Sequence, residues 1–273
     1  MKQRLVLMAL FFFFACGVQQ AIGQTCTLTI TALNFGTYTS TLLNGTATGK
    51  VTCAGAWDIP FGTGTGAGAT ETVRVMTGTG GATLNYQLFT DAAHTNNWGN
   101  TTGNEDSGTG NATVTVYGQI PGAQYATPGT YTDTMTSATT SFPVTTTVQA
   151  TCTVSATSLV FGTYASTLLN STSTISATCT NTTPYNIGLN AGTATGATVT
   201  NRSMTGPAAA LLHYGLFSDS GHSVNWGNTV GTNTVAKTGS GAAQTLTVYG
   251  QVPAGQFVTP GSYSDTITVT LTY

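Results

Sequence analysis

Nearly all of this chain is written twice, and the repeat restricts its fold more than any other feature. Cys26, Phe35 to Tyr38, Thr41 to Asn44 and Cys53 return as Cys152, Phe161 to Tyr164, Thr167 to Asn170 and Cys179, a displacement of 126 residues. Met76 to Gly78, Tyr86, Asp91, His94 and Trp98 to Asn100 return 128 residues on, as Met204 to Gly206, Tyr214, Asp219, His222 and Trp226 to Asn228. Val116 to Gln119 and Tyr131 to Thr134 return 132 residues on, as Val248 to Gln251 and Tyr263 to Thr266. Two domains of about 120 residues follow, 24–151 and 152–273, each large enough to bury its own core.

Within each copy, short alternating runs are separated by Gly, Asn and Pro, and no helical period persists over three turns. Thr113 to Tyr117 and Thr245 to Tyr249 alternate cleanly, and Thr127-Pro128-Gly129 and Thr259-Pro260-Gly261 mark turns into a last strand. The pattern predicts an all-β protein of two tandem immunoglobulin-like β-sandwich domains. Between the copies, Ser141 to Cys152 reads as a strand with one apolar side. Phe142, Val144, Thr146 and Val148 fall on one face, and Pro143, Thr145, Thr147 and Gln149 on the other. The closing segment of the first copy, Met135 to Thr139, is a weaker strand than its counterpart, Ile267 to Leu271. After the second copy the sequence ends at Tyr273 with no equivalent of the 141–151 stretch, so the second domain is expected to lack its last strand.

Residues 1–23 read as an export signal. Lys2 and Arg4 precede the apolar run from Leu5 to Ala15, which is too short to span a bilayer, and Ala21-Ile22-Gly23 supplies the cleavage site. Phe13-Phe14-Ala15 is a poor lead-in for lipid attachment at Cys16, which is read as part of the discarded signal. Only 5% of the chain is charged, against roughly 25% in ordinary soluble domains. The mature part holds the bases Lys50, Arg74, Arg202 and Lys237 against twice as many acids, which makes nucleic acid an improbable partner.

In an exported chain, Cys26, Cys53, Cys152 and Cys179 favour disulfides over metal or redox chemistry, and their equal spacing makes one bridge per copy the economical pairing among three connectivities. His94 and His222 each follow an Asp by three residues. Too few further ligands exist for a metal, so they read as loop histidines satisfied by hydrogen bonds. Gly62 to Gly66 resembles a phosphate loop only superficially, having no Lys and no following helix, and reads as a hairpin or loop. Neither a Ser/His/Asp elbow nor a repeated carboxylate pair at a plausible separation supports hydrolysis, so no enzyme and no cofactor is expected. Trp57, Ile59 and Phe61 align at the cysteine's displacement with Thr183, Tyr185 and Ile187. Trp57 then stands where the copy has a small polar residue, which makes it the candidate for an exposed adhesive contact.

Cys152 to Thr157, Phe161 to Tyr164, Cys179 to Tyr185, Asn225 to Asn228, Val248 to Gln251 and Pro260 to Tyr273 together resemble the spore coat protein U domain. The second copy matches end to end and the first more loosely. The resemblance implies a subunit of archaic chaperone-usher pili: an incomplete sandwich whose groove is held by a periplasmic chaperone and then filled by a neighbour's strand. In that family the donor strand lies just ahead of the Cys-Thr-Val-Ser-Ala motif, where Ser141 to Thr151 lies here. Phe142, Val144, Thr146 and Val148 are therefore expected to complete the first domain from within. Before Cys26 only Gln24 and Thr25 would remain after cleavage, too few to donate a strand. The implied protein is a fimbrial tip adhesin, exported through the periplasm to the cell surface. Its implied partners are a chaperone, an outer-membrane usher, the next subunit, and an abiotic or host surface. The alternative is a secreted coat or matrix protein not assembled into pili.

Overall fold

The computed structural model describes residues 26–138 and 140–273; the export signal expected over residues 1–23, with Cys16, lies outside the described residues. The chain divides into two units, one comprising residues up to Ala123 with Thr130–Thr147, the other Gln124–Gly129 with Val148–Tyr273. Among the described residues the only helical elements are two 3-10 turns of three residues.

Unit 1 contains β1 (Thr27–Ile30), β2 (Leu33–Tyr38), β3 (Leu43–Thr52), β4 (Ala56–Ile59), β5 (Arg74–Thr77), β6 (Thr83–Phe89), β7 (Asp106–Thr109), β8 (Ala112–Ile120) and, but for their outer residues Gly129 and Val148, β9 (Gly129–Thr136) and β10 (Ser141–Val148). Eight of these form one sheet system in the order β1-β3-β8-β6-β5-β9-β10-β2, and β4 pairs with β7. Unit 2 contains β11 (Cys152–Ala156), β12 (Leu169–Cys179), β13 (Pro184–Leu189), β14 (Arg202–Thr205), β15 (Leu211–Phe217), β16 (Val235–Thr238), β17 (Ala243–Val252) and β18 (Val269–Thr272). Its sheets run β11-β12-β17-β15-β14 and β16-β13-β18.

The longest ladder is the same in both units. β3 meets β8 from Leu43↔Ile120 to Val51↔Ala112, and β12 meets β17 from Leu169↔Val252 to Thr178↔Ala243. Strict alternation fixes these registers, because a slip of one residue would turn every Val, Ile and Leu to the wrong face. Thr and Ser fill the outward positions, where a β-branched hydroxyl residue suits a half-exposed pleat. A glycine is required in each central strand. A Cβ at Gly118 would sit 2.6 Å from the Phe35 ring, and one at Gly250 would sit 2.8 Å from that of Phe161.

The disulfides pair Cys26 with Cys53 and Cys152 with Cys179, each spanning 27 residues. By loop-closure entropy, each stabilises its unit by ~3.5 kcal/mol. Both link the first strand of a unit to the strand beside it.

The units diverge at their closing segments. Met135 and Thr136 end β9, and Val269 to Leu271 lie in β18, in keeping with the stronger second segment. Just ahead of them, Tyr131 to Thr136 are regular in β9, whereas Tyr263 to Thr268 in the second copy form no ladder and meet β14 only through the bridge Thr205↔Ser264. The reason is the neighbour. β9 lies against β10, while the equivalent segment of unit 2 has no strand on that side among the described residues. Alternation alone cannot make a ladder. After Thr136, Ser137 N donates to Thr140 O at 2.8 Å and β10 begins at Ser141. Unit 2 runs on, and β18 pairs with β13 from Leu189↔Val269 to Asn186↔Thr272.

Candidate functional site

In unit 1, β10 lies between β9 and β2 and covers the core. Phe142, Val144, Thr146 and Val148 are 1, 0, 1 and 5% exposed. The Phe142 ring meets Phe61 edge to face at 5.3 Å, and Thr146 Oγ1 donates to the Gly36 carbonyl at 2.9 Å. Beneath them Leu33, Phe35, Tyr38, Tyr131 and Met135 are buried.

In unit 2 the equivalents of β2 and β9, residues 159–164 and 261–268, are the two lips of a groove of about 990 Å³. Leu159, Phe161, Tyr164, Tyr263 and Ile267 are only half-buried there. The lining repeats unit 1 almost side chain for side chain, with Met204, Leu212, Tyr214, Leu216 and Val248 standing for Met76, Leu84, Tyr86, Leu88 and Val116. Leu189 takes the place of Phe61.

Side chains tether both lips in place of a ladder. Asp265 Oδ1 accepts from Thr193 N and Oγ1, both at 2.8 Å, and from Thr266 N at 2.7 Å, while Oδ2 accepts from Tyr214 OH at 2.7 Å. Burial pushes this carboxyl up, but the bonds outweigh it and hold it below the ordinary aspartate value. Burial, with the Asp265 bond and charge, drives the Tyr214 phenol far above its usual range. Asn190 Oδ1 accepts from Thr268 N at 2.9 Å. On the other lip Tyr164 OH donates to Pro253 O at 2.6 Å, and Ser171 Oγ to Val160 O at 2.6 Å. The Asp133 carboxylate is held the same way by Thr65, Tyr86 and Thr134. Gly64 and Gly192 let the loop pass over these carboxylates. Both have positive φ, and a Cβ at either would fall about 2 Å from an aspartate oxygen.

Behind each aspartate lies a buried guanidinium. Arg202 donates to the carbonyls of Asn190 (2.8 Å), Val199 (2.7 Å), Leu189 (2.9 Å) and Trp226 (2.7 Å). Arg74 donates to those of Gly62, Glu71 and Trp98. Burial brings both down to about 10, so both remain charged at neutral pH. Composition registered them only as two more bases. The signal that finds them is their recurrence at 128 residues, shared with Thr65/Thr193 and Tyr86/Tyr214.

Trp57 is corrected: it is buried, 6% exposed, and its Nε1 donates to Gly110 O at 2.9 Å. Its apparent exposure came from the wrong displacement. Trp98 Nε1 bonds Ile59 O as Trp226 Nε1 bonds Ile187 O, which sets Ile59 against Ile187 and Trp57 against the buried Tyr185. Two extra residues after Cys179 shift the register. Both are core aromatics, and Trp57 offers no exposed contact.

The histidines are corrected in part. Asp91 and Asp219 bond the following loop, with Thr95 and Asn96 or Ser223 and Val224 as donors. The Nε2 atoms of His94 and His222 are buried with no hydrogen-bond partner among the described residues. Their rings stand edge to face against Phe89 and Tyr117, and Phe217 and Tyr249. Gly62 to Gly66 is the loop over Asp133, and Thr65 within it donates twice to that carboxylate.

The groove therefore offers an apolar floor between two lips, 159–164 in no ladder and 261–268 with the single bridge Thr205↔Ser264. An extended peptide with alternating apolar side chains satisfies both the floor and the backbone. The Asp265 oxygens are taken up by structural bonds.

The profile of the Spore Coat Protein U domain matches residues 13–137 and 138–270. The division at 137/138 assigns the β10 sequence to the second match, whereas β10 lies in the sheet of unit 1. The "Protein U" of Myxococcus xanthus is 36% identical over 129 residues, 42% of this chain and 72% of that protein. A chain of the CsuC–CsuE chaperone–tip adhesion subunit pre-assembly complex, from archaic chaperone-usher Csu pili of Acinetobacter baumannii, has the same fold. Its TM-score is 0.55 at 15% identity, and the likeness covers 91% of this chain and 100% of that one.

Proposed function

This chain belongs to the Spore Coat Protein U domain family, and from that premise we propose that it is a structural subunit of a chaperone-usher fimbria, placed at the tip and mediating surface attachment. The observation that carries this is the contrast between the units. The place that β10 fills in unit 1 is, in unit 2, an open apolar groove between residues 159–164 and 261–268. Strand addition to such a groove is how pilins pair with their chaperones, and the fold shared with a chain of a chaperone–tip subunit complex agrees with it.

On this reading the periplasmic chaperone holds the groove during export, the outer-membrane usher passes the subunit outward, and the next subunit's strand replaces the chaperone. Exposed apolar lips require such cover, because an unpaired edge aggregates. Unit 1 is completed by β10 from its own chain and needs no neighbour, which is what the distal end of a strand-linked fibre requires. Its loops are then free for contact. A chain with 5% charged residues suits adhesion to an apolar surface better than recognition of a charged ligand. Immunogold labelling of fimbriated cells tests the placement. Label at fibre ends, with attachment abolished by gene deletion, is the expected result; label spaced evenly along the fibres contradicts the tip position.

A further inference from the structure

Loops 165–168 and 253–258 meet at one end of unit 2. Gly255 N donates to Ser166 O at 3.0 Å, and Ser166 Oγ to Gln256 O at 3.0 Å. Gln256 N donates to Tyr164 OH at 3.1 Å. The Gln256 carboxamide accepts from His213 N at 2.8 Å and donates to His213 O at 2.9 Å, like an added rung on β15. This rigid loop then turns the next residue outward: Phe257 is 92% exposed, and Leu168, on the partner loop, is 56% exposed.

A single exposed apolar residue is ordinary, but chain direction gives this end a particular place. β9 and β10 are hydrogen-bonded neighbours joined by residues 137–140, far too few for a crossover, so they run antiparallel. β10 therefore finishes where β9 begins. Thr146, near its end, bonds Gly36, near the end of β2. At that end of unit 1 the equivalent loops also meet, through Ala123 N to Ser40 O at 2.8 Å. A strand lying in the unit 2 groove in the same sense leaves it beside residues 165–168 and 253–258. Whatever follows that strand in its own chain emerges next to Phe257 and Leu168.

We propose that Phe257, supported by Leu168, is a docking contact for the folded domain that follows the inserted strand in the donating chain. The proposal rests on the reading of the groove as a strand acceptor, and continuity with the groove identifies the occupant. A preformed aromatic on a loop with few conformations left to lose is an efficient anchor. The contact adds to strand insertion and fixes the orientation of the donor's domain.

Photo-crosslinking in assembled fibres tests this, with p-benzoylphenylalanine in the full chain in place of Phe257 or, separately, of Ser262 on the groove lip. The expected result is that both positions label one and the same polypeptide, Ser262 its inserted strand and Phe257 its following domain. In addition, Phe257→Ser should hasten release of that polypeptide on heating in detergent by roughly tenfold, the effect of losing about 1.4 kcal/mol. A Ser262 adduct with none at position 257, or with a different molecule there, overturns the docking contact and leaves the groove assignment standing. Failure of Ser262 to label any polypeptide overturns the acceptor reading itself, and the docking contact with it.

Discussion

At Asp265 four hydrogen bonds meet: two from Thr193, one from Tyr214 and one from the backbone of Thr266. They keep the 261–268 lip in place although it has almost no ladder. Because the carboxyl lies below its ordinary value when folded, its contribution is complete above the unfolded value near 4 and is lost as pH falls through the folded one. Asp265→Asn should therefore lower the stability of unit 2 by about 2 kcal/mol at neutral pH and flatten the acid limb of its urea midpoint against pH. An unchanged acid limb would remove Asp265 from this role. Arg202 faces a different demand, holding four carbonyls with one planar fork. Arg202→Lys keeps the charge and loses the fork, and should cost ~3 kcal/mol in chemical denaturation. These roles were not legible in the sequence, since a buried Arg or Asp reads as a surface charge until distant partners are known. Only their recurrence in both copies set them apart.

Among the elements, β10 was the most legible, because the alternation of Phe142, Val144, Thr146 and Val148 survives as a buried face. Its worth to unit 1 is measurable in the full chain. Phe142→Ala should destabilise unit 1 by about 3–5 kcal/mol. Val144→Asp places an unpaired carboxylate at a fully buried position and should abolish its cooperative unfolding. Unit 2 should keep its own transition in both variants, by differential scanning calorimetry; equal loss in both units would contradict a strand that serves unit 1. The segment 263–268 shows the limit of pattern reading. It alternates as β9 does, yet it forms no ladder, because hydrogen bonds need a partner that lies outside its own sequence. Trp57 shows another limit, since two extra residues before Tyr185 defeated a constant displacement and turned a core aromatic into an apparent surface one.

For the whole molecule, the repeat revealed two units with one disulfide each, and the asymmetry between them is what the proposed function rests on. The groove lining of unit 2 copies that of unit 1 with few changes, such as Leu189 for Phe61 and Ile267 for Met135. The chain's own β10 sequence is therefore a suitable probe for the open site. The most direct measurement is hydrogen–deuterium exchange on the mature protein with and without a peptide of residues 141–149. The account predicts new protection at 159–164 and 261–268 and no change at 33–38 or 129–136, where β10 already lies. Equal protection in both units, or none in unit 2, would contradict a chain that completes its first sandwich and leaves its second open to a neighbour.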